Sequence, residues 1–341
     1  MIRLSTIKSN REKEEQMASP STVDVAQEER FQAKIAWMYH YEGMTQGEIA
    51  AHLGVTRLRV NRSLGEALKN GIIRIHICSP HAPCFELEKE FQERYGLEEV
   101  TIAPKPVHEE NIQDFVGAEL GRYLSNLLRE PEIKLFGISW GTSIDAALRS
   151  MNPCSRPDLE VVSMMGGVPK GSSVSSFSIT TRLAELCSAD RTYFTAPLYA
   201  STKKSRDTIQ VQEVFQETLD KLRRADALVM AVGAVSDKSL NTREGLPSDI
   251  SKESLVEAGA VGDLLGYFIN KDGGLIKHPV NDRVIGLNPL ELKDRPRVIL
   301  ASGGDYKIPV ISAALKMGIF KVFITDQETA EAVLAHDESG K

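Results

Sequence analysis

Beyond residue 99 the chain repeats one pattern, an apolar run of strand length followed by a stretch with helical periodicity. The runs cover residues 100–103, 134–138, 159–165, 192–196, 227–232, 298–301 and 321–325, and helical spacing recurs at 115–128, 182–186 and 211–222. A strand that is apolar at nearly every position must be covered on both faces, and two parallel strands need a long crossover, which a helix supplies. The pattern therefore predicts an α/β domain, a Rossmann-like and mostly parallel sheet in a three-layer arrangement. Such sheets bind ligands beyond the carboxyl ends of their strands, so the strand-to-helix turns are where a site is sought.

A length of 341 residues accommodates two domains, and 42% hydrophobic residues supply a substantial core. The expected boundaries are a polar tail at 1–27, a helical head at 28–78, a hinge at 79–83, the α/β domain at 84–336 and a short tail at 337–341. Two prolines and no periodicity mark the hinge. Met17 is an alternative start. No apolar run approaches the ~20 residues of a membrane helix, and the charged N-terminus lacks a secretory core, so a soluble, cytoplasmic protein without a membrane partner is expected. Cys78, Cys84, Cys154 and Cys187 show neither CxxC spacing nor a histidine companion, which indicates reduced structural cysteines and no metal site.

The head is the most specific stretch. Ile49 and Leu53 lie four apart on one helix face and Gly54 follows where the chain must turn; Thr56 then stands at an N-cap position, and Val60, Leu64, Ala67 and Leu68 form one stripe on a second helix that Gly71 ends. Two short helices about a glycine turn make a helix-turn-helix, whose second helix enters the major groove. Off the stripe stand Arg57, Arg59, Asn61, Arg62 and Lys69, opposed only by Glu66. Arginine suits guanine or phosphate and asparagine suits adenine. The alternating run at 72–77 reads as a strand, making the head a winged variant, and Phe31, Ile35, Met38 and Tyr39 mark a further helix over 28–41 that Gly43 closes. A net charge of −6 excludes a surface that coats nucleic acid as a whole, so affinity for DNA has to reside in this local patch. The plainer reading is a helical hairpin with a solvated basic face.

Two turns of the α/β domain carry chemistry. In KLFGISWGTSIDAAL the strand passes through Ser139, Trp140, Gly141, Thr142 and Ser143 into a helix, joining hydroxyls to the free N–H groups of a helix N-terminus. In RVILASGGDYKIPV, Gly303 and Gly304 follow a strand and Lys307 opens the next helix. Together they suit a phosphorylated ligand, although glycine at such turns also has purely geometric uses; no Walker pattern or dinucleotide fingerprint points to a nucleotide. Asp263 is a lone acid on an apolar segment, either a helix cap or an acceptor for ligand hydroxyls. Asn281 and Asp282 fit turn chemistry, Arg283 suits pairing with an acid, and His278 has no visible partner.

The head resembles that of the SorC-type sugar-binding transcriptional regulators. The carrying run is TQ-x-x-IA-x-x-LG-V-T-R-x-x-V-x-R-x-L, from Thr45 and Gln46 to Leu64, followed by GIIRI; Asn61 stands where serine is frequent. The resemblance extends in order through GISWGTSI, SMMGGV, GAVGDLLGYF, HPVNDRVIGL and GGDYKIPVISAALKMG. It implies a fold similar to ribose-phosphate isomerase and glucosamine-phosphate deaminase, with a phosphorylated sugar or polyol as effector and no cofactor. The candidate DNA-binding residues of the head are Thr45, Gln46, Thr56, Arg57, Arg59, Asn61 and Arg62. Carried onto this chain residue by residue, the resemblance implies a phosphate loop at Gly141, Thr142 and Ser143, with Asp263 as acidic and Lys307 as basic contact. Trp140 replaces a residue that is usually glycine.

The expected function is therefore a homodimeric or homotetrameric regulator of a carbohydrate or polyol operon, whose affinity for double-stranded operator DNA is set by a sugar phosphate. Two rivals remain. One is a sugar-phosphate isomerase or deaminase with an accessory head, for which Asp263 is the base but shows no acid-base partner in the sequence. The other is a metabolite-binding module whose head contacts protein.

Overall fold

A computed structural model of the protein describes residues 22–75, 77–79, 81–105, 111–168 and 174–339. The expected tail lies outside these through residue 21, as do His76 of the expected wing strand, Pro80 of the hinge and residues 340–341. The chain divides into two units between Cys78 and Ser79.

The first unit holds α1 (Thr22–His40), α2 (Gln46–Leu53) and α3 (Arg57–Lys69). Thr45 caps α2 in a reciprocal box with Glu48, Gly54 closes it at φ 66°, and the Thr56 hydroxyl accepts from Arg59 N at 3.2 Å to start α3. Ile35, Met38, Ile49, Ala50 and Val60 meet in a small core. Three expectations need correction. The first helix begins at Thr22, so residues 22–27 are helical and not tail. Leu68 is 50% exposed and leaves the buried stripe. No strand forms among the described residues of 72–77, because Ile72 N and Ile73 N donate back to Ala67 O at the end of α3 and no second strand faces them.

In the second unit α4 (Ala82–Tyr95) precedes β1 (Glu99–Ala103). Ala82 and Pro83, expected in the hinge, form the first turn of α4, where a proline loses no hydrogen bond. Gly96 caps this helix at φ 68°, and Leu97 follows the cap. Then come α5 (Ile112–Leu127), β2 (Leu135–Ile138), α6 (Thr142–Ser150), β3 (Glu160–Ser163), α7 (Ser176–Cys187) and β4 (Asp190–Thr192). After them follow α8 (Lys203–Gln210), α9 (Glu213–Arg224), β5 (Ala227–Met230) and β6 (Val232–Ala234). The chain ends with α10 (Lys252–Glu257), β7 (Gly262–Leu264), β8 (Tyr267–Ile269), β9 (Val298–Ala301), α11 (Ile308–Lys316), β10 (Val322–Asp326) and α12 (Gln327–Ser339). The expected tail at 337–341 is thus helical through Ser339.

Seven strands form one all-parallel sheet in the order β1-β10-β9-β5-β2-β3-β4. The period-2 rule divides its side chains between two cores. Phe136, Ile138 and Val229 pack with Val116 and Leu120 of α5, Ile144 of α6 and Leu183 of α7. Leu228, Met230 and Phe323 pack with Phe91 of α4, Leu222 of α9, Val310 of α11 and Val333 of α12. Two strand readings shift. The run at 192–196 joins the sheet only to Thr192, and Ala196 O accepts from Gly167 N outside it. The run at 227–232 splits after Met230, and Val232 passes into a second, antiparallel sheet β6-β7-β8.

From β2 the chain proceeds outward through β3 and β4, then returns to place β5 on the other side of β2. The carboxyl ends of β2 and β5 therefore mark the point where the winding reverses, the usual crevice of an open α/β sheet.

Candidate functional site

At that reversal the turns after β2, β5 and β9 surround one pocket, which Asp263 on β7 enters as well. Its lining includes Ser139, Trp140, Gly141, Thr142, Asp263 and Lys307. Residues more than 160 positions apart in sequence are thus brought together. Ser143, Gly303 and Gly304, grouped with them in the sequence, do not line it. The Ser143 hydroxyl donates instead to Gln113 Oε1 at 2.5 Å, a Cβ at Gly303 would strike Asp326 Oδ2, and Gly304 N donates to Thr329 Oγ1 at 2.8 Å. These two glycines shape the turn.

The anion-seeking side of the pocket is built by α6 and two lysines. Gly141 occupies the N-cap of α6 at φ 153°, and no side chain among the described residues caps the helix, which leaves first-turn N–H groups beside the pocket for an anion to take. A side chain there would be strained, and its Cβ would press Ala231 Cβ at 3.2 Å. Lys238 and Lys307 flank the Tyr306 ring, at 5.1 and 5.6 Å from its centroid. Burial pushes the Lys307 amine down to about 8, against the pull of the Asp263 charge.

The same pocket also holds acceptors. Asp263 pairs in register with Gly233 of β6 and Phe268 of β8, so it sits on a strand and caps no helix. Its Oδ2 accepts from Gly266 N at 3.2 Å across the β7–β8 turn, where Leu265 and Gly266 both have positive φ. Oδ1 is buried and has no hydrogen-bond partner among the described residues. A Cβ on Gly233 would lie 2.5 Å from that oxygen, so the glycine makes room for it. Burial raises the Asp263 carboxyl to about 6, while Asn241, Gly266 N–H and Lys307 oppose the rise. Asn241 donates its amide to Tyr199 Oη at 3.0 Å, and Tyr199 donates to Gly266 O at 2.7 Å. That chain fixes the amide and leaves Asn241 Oδ1 as a second buried acceptor without a donor among the described residues.

Sequence reasoning missed Lys238, Ser239, Asn241 and Tyr306. Tyr306 adjoined a chosen lysine, whereas the loop of Lys238 to Asn241 has no glycine signature or periodicity and enters the pocket only through the tertiary fold. Asn281 and Arg283 lie elsewhere. Asn281 braces β8 through Phe268 N and O at 2.8 and 2.9 Å, and Arg283 makes a bidentate pair with Asp249 at 2.8 and 2.7 Å. His278 Nδ1 accepts from Val280 N at 3.2 Å.

In the first unit, Arg57, Arg59, Asn61 and Arg62 of α3 are exposed and only Val60 among residues 57–62 is buried. Arg59 is already engaged, at 2.6 Å from Glu28 and over the Phe31 ring at 5.3 Å, so it fastens α3 to α1. Arg62 pairs with Glu66 at 2.9 Å, and Gln46 Nε2 reaches Asn61 Oδ1 at 3.5 Å. Thr45 and Thr56 serve as caps. Arg57 makes no salt bridge among the described residues, and Leu58, which the sequence analysis passed over, is 77% exposed beside it.

Residues 79–335 match the Sugar-bind family model, described as "Putative sugar-binding domain". Among curated proteins, the chain is 31% identical over 310 residues to the transcriptional regulator LsrR of Escherichia coli, covering 90% of this chain and 95% of that protein. It is 26% identical over 302 residues to the erythritol catabolism regulatory protein EryD of Brucella abortus, covering 88% and 95%. Among solved structures, the full-length sorbitol operon regulator SorC of Klebsiella pneumoniae superimposes with a TM-score of 0.66 at 21% identity, over 90% of this chain and 99% of that one. A DeoR family transcriptional regulator of Listeria monocytogenes gives 0.65 at 25% identity over 73% and 98%.

Proposed function

The chain belongs to the family of SorC-type sugar-binding transcriptional regulators, and from that premise we propose that it binds operator DNA through α3 under the control of a phosphorylated sugar or polyol. One observation carries the effector half: the pocket brings together, first, an uncapped helix N-terminus and two lysines and, second, two buried acceptors, Asp263 Oδ1 and Asn241 Oδ1, that lack donors among the described residues. A phosphate satisfies the first group and hydroxyl groups satisfy the second. The name of EryD, an erythritol catabolism regulator, supports a polyol or carbohydrate operon as the target.

The DNA half rests on α3, which exposes Arg57, Leu58, Asn61 and Arg62 along its N-terminal turns. Arginine and asparagine read purine edges, and an exposed apolar side chain suits a thymine methyl. Heads of a symmetric dimer must be spaced by a whole number of DNA turns, so an effector that changes subunit packing changes affinity. We place the protein in the cytoplasm, where both ligands occur; no helix among the described residues is long and apolar enough to cross a membrane.

The test is a thermal-shift screen with phosphorylated and free sugars and polyols, followed by mobility shifts on the DNA adjoining the gene with and without the hit. A native-state ligand raises the melting temperature by mass action. A stabilising phosphorylated compound that also alters the DNA complex is expected; a screen with no hit would overturn the effector reading. Catalysis is favoured by one observation, the nearness of Asp263 and Lys307 to neutrality. Turnover of the stabilising compound by the purified chain would replace regulation with chemistry.

A further inference from the structure

Gln113, the second residue of α5, does not line the pocket, yet it touches two of the three turns that do. Its Oε1 accepts from Ser143 Oγ at 2.5 Å and from Thr142 Oγ1 at 3.4 Å in the β2–α6 turn. Its Nε2 donates to Gly303 O at 3.0 Å in the β9–α11 turn. A glutamine amide has one acceptor and one donor end, and here each end holds a different turn. The backbone that carries this side chain is itself held, because Asn111 caps α5 by accepting from Gln113 N at 3.1 Å.

The helix behind Gln113 is joined to α6 with little slack. A Cβ on Gly117 would strike Ala146, and one on Gly121 would strike Ser150 and the Ala147 carbonyl, so α5 and α6 approach at backbone distance. The N-terminus of α6 therefore cannot shift without moving α5 or breaking the Ser143–Gln113 contact. The β9–α11 turn, which carries Tyr306 and Lys307, is tied to the same amide.

We infer that Gln113 is the positioning residue of the effector pocket: it sets the separation between the open α6 N-terminus and Lys307, so that one anion meets both. The inference rests on the effector reading above, and it gives Ser143 a supporting role in place of a ligand contact. It also makes Gln113 the route by which occupancy at α6 is felt at α5.

The experiment uses the full chain carrying Trp37→Phe, which leaves Trp140 of the pocket as the sole tryptophan. Inorganic phosphate, and then the stabilising compound of the screen, are titrated while Trp140 emission and heat of binding are followed. In Gln113→Leu the affinity for phosphate is expected to fall about tenfold, the worth of one lost strong hydrogen bond. The Trp140 response should shrink with it. Ser143→Ala should weaken phosphate binding in the Gln113 background but add nothing in Gln113→Leu, a non-additivity that a general loss of stability does not produce. Melting temperature and circular dichroism, read in parallel, identify a variant that has failed to fold; Gln113→Glu then serves in its place, since it keeps the acceptor end toward Ser143 and loses the donor to Gly303. Wild-type affinity in both Gln113 variants overturns the positioning role and leaves the pocket standing. No binding of phosphate or of any phosphorylated sugar to the parent chain removes the pocket and this inference with it.

Discussion

The two units use charge in opposite ways. In the head, Arg57, Arg59, Asn61 and Arg62 are exposed and stand on a helix whose core contacts come from other residues. In the α/β unit, Asp263 and Lys307 are both 6% exposed, and burial moves each toward neutrality. Exposed charges are screened by salt and can be exchanged without disturbing the fold, whereas buried charges have to be compensated by the fold or by a ligand. The head is thus suited to a salt-sensitive contact with a polyanion. The pocket suits a small ligand that completes an arrangement left unsatisfied.

The largest expected effect lies in the pocket. Lys307→Met should reduce affinity for a phosphorylated effector about a hundredfold, the scale of losing a desolvated charge partner, while the free chain keeps or gains melting temperature. Calorimetric titration reads both, and retained affinity would end the contrast on the buried side. Next is the head. Arg57→Ala should weaken operator binding by about tenfold or more and lower the slope of affinity against salt by about one, measured by mobility shift at several salt concentrations. Effector binding should not change.

A third outcome concerns pH. Unfolded, Asp263 titrates near 3.8; in the folded chain burial lifts it to about 6. Between those values the folded chain holds a proton that the unfolded chain has released, so stability falls as pH rises across the window. Lys307 acts in the opposite sense. Its folded value of about 8 lies below the ordinary 10.5, so the unfolded chain binds the extra proton and stability rises with pH between the two. Urea melts of the wild type and Asp263→Asn across pH 3.8 to 6 should diverge. Parallel curves would mean that the acid is not held as described.

The smallest effects fall on the head's own architecture. Thr45→Ala removes a reciprocal cap and should cost about 1 kcal/mol, seen as a lower denaturation midpoint of the first unit. Arg59→Ala should cost less than about 1 kcal/mol, because its pair with Glu28 is half exposed, and it should weaken DNA binding far less than Arg57→Ala does. Equal losses for the two arginines would show that Arg59 leaves Glu28 to reach the duplex.

Local chemistry was legible in the residues themselves. Thr56 is a cap because its hydroxyl reaches an amide three positions on, and Gly54 is a turn because only a residue without Cβ takes that φ cheaply; neither depends on distant parts of the chain. The alternation of apolar runs and helices likewise implied a parallel sheet, since burial on both faces leaves few other solutions. The wing failed for the converse reason: an alternating run is only half of a ladder, and its partner has to come from elsewhere.

What the sequence determined by itself was whatever short-range sterics and periodicity dictate: the helix-turn-helix with its cap and turn glycine, the α/β class, and the residue types at the strand-to-helix turns. What only the tertiary structure decided was which of those residues meet. Asp263 faces Lys307 because β7 pairs with β6 beside the crevice, Arg59 belongs to Glu28 because α1 crosses α3, and Gln113 joins two turns because glycines let α5 settle against α6. Those meetings arise from packing between segments far apart in the chain, and spacing along a sequence holds no measure of distance across a sheet.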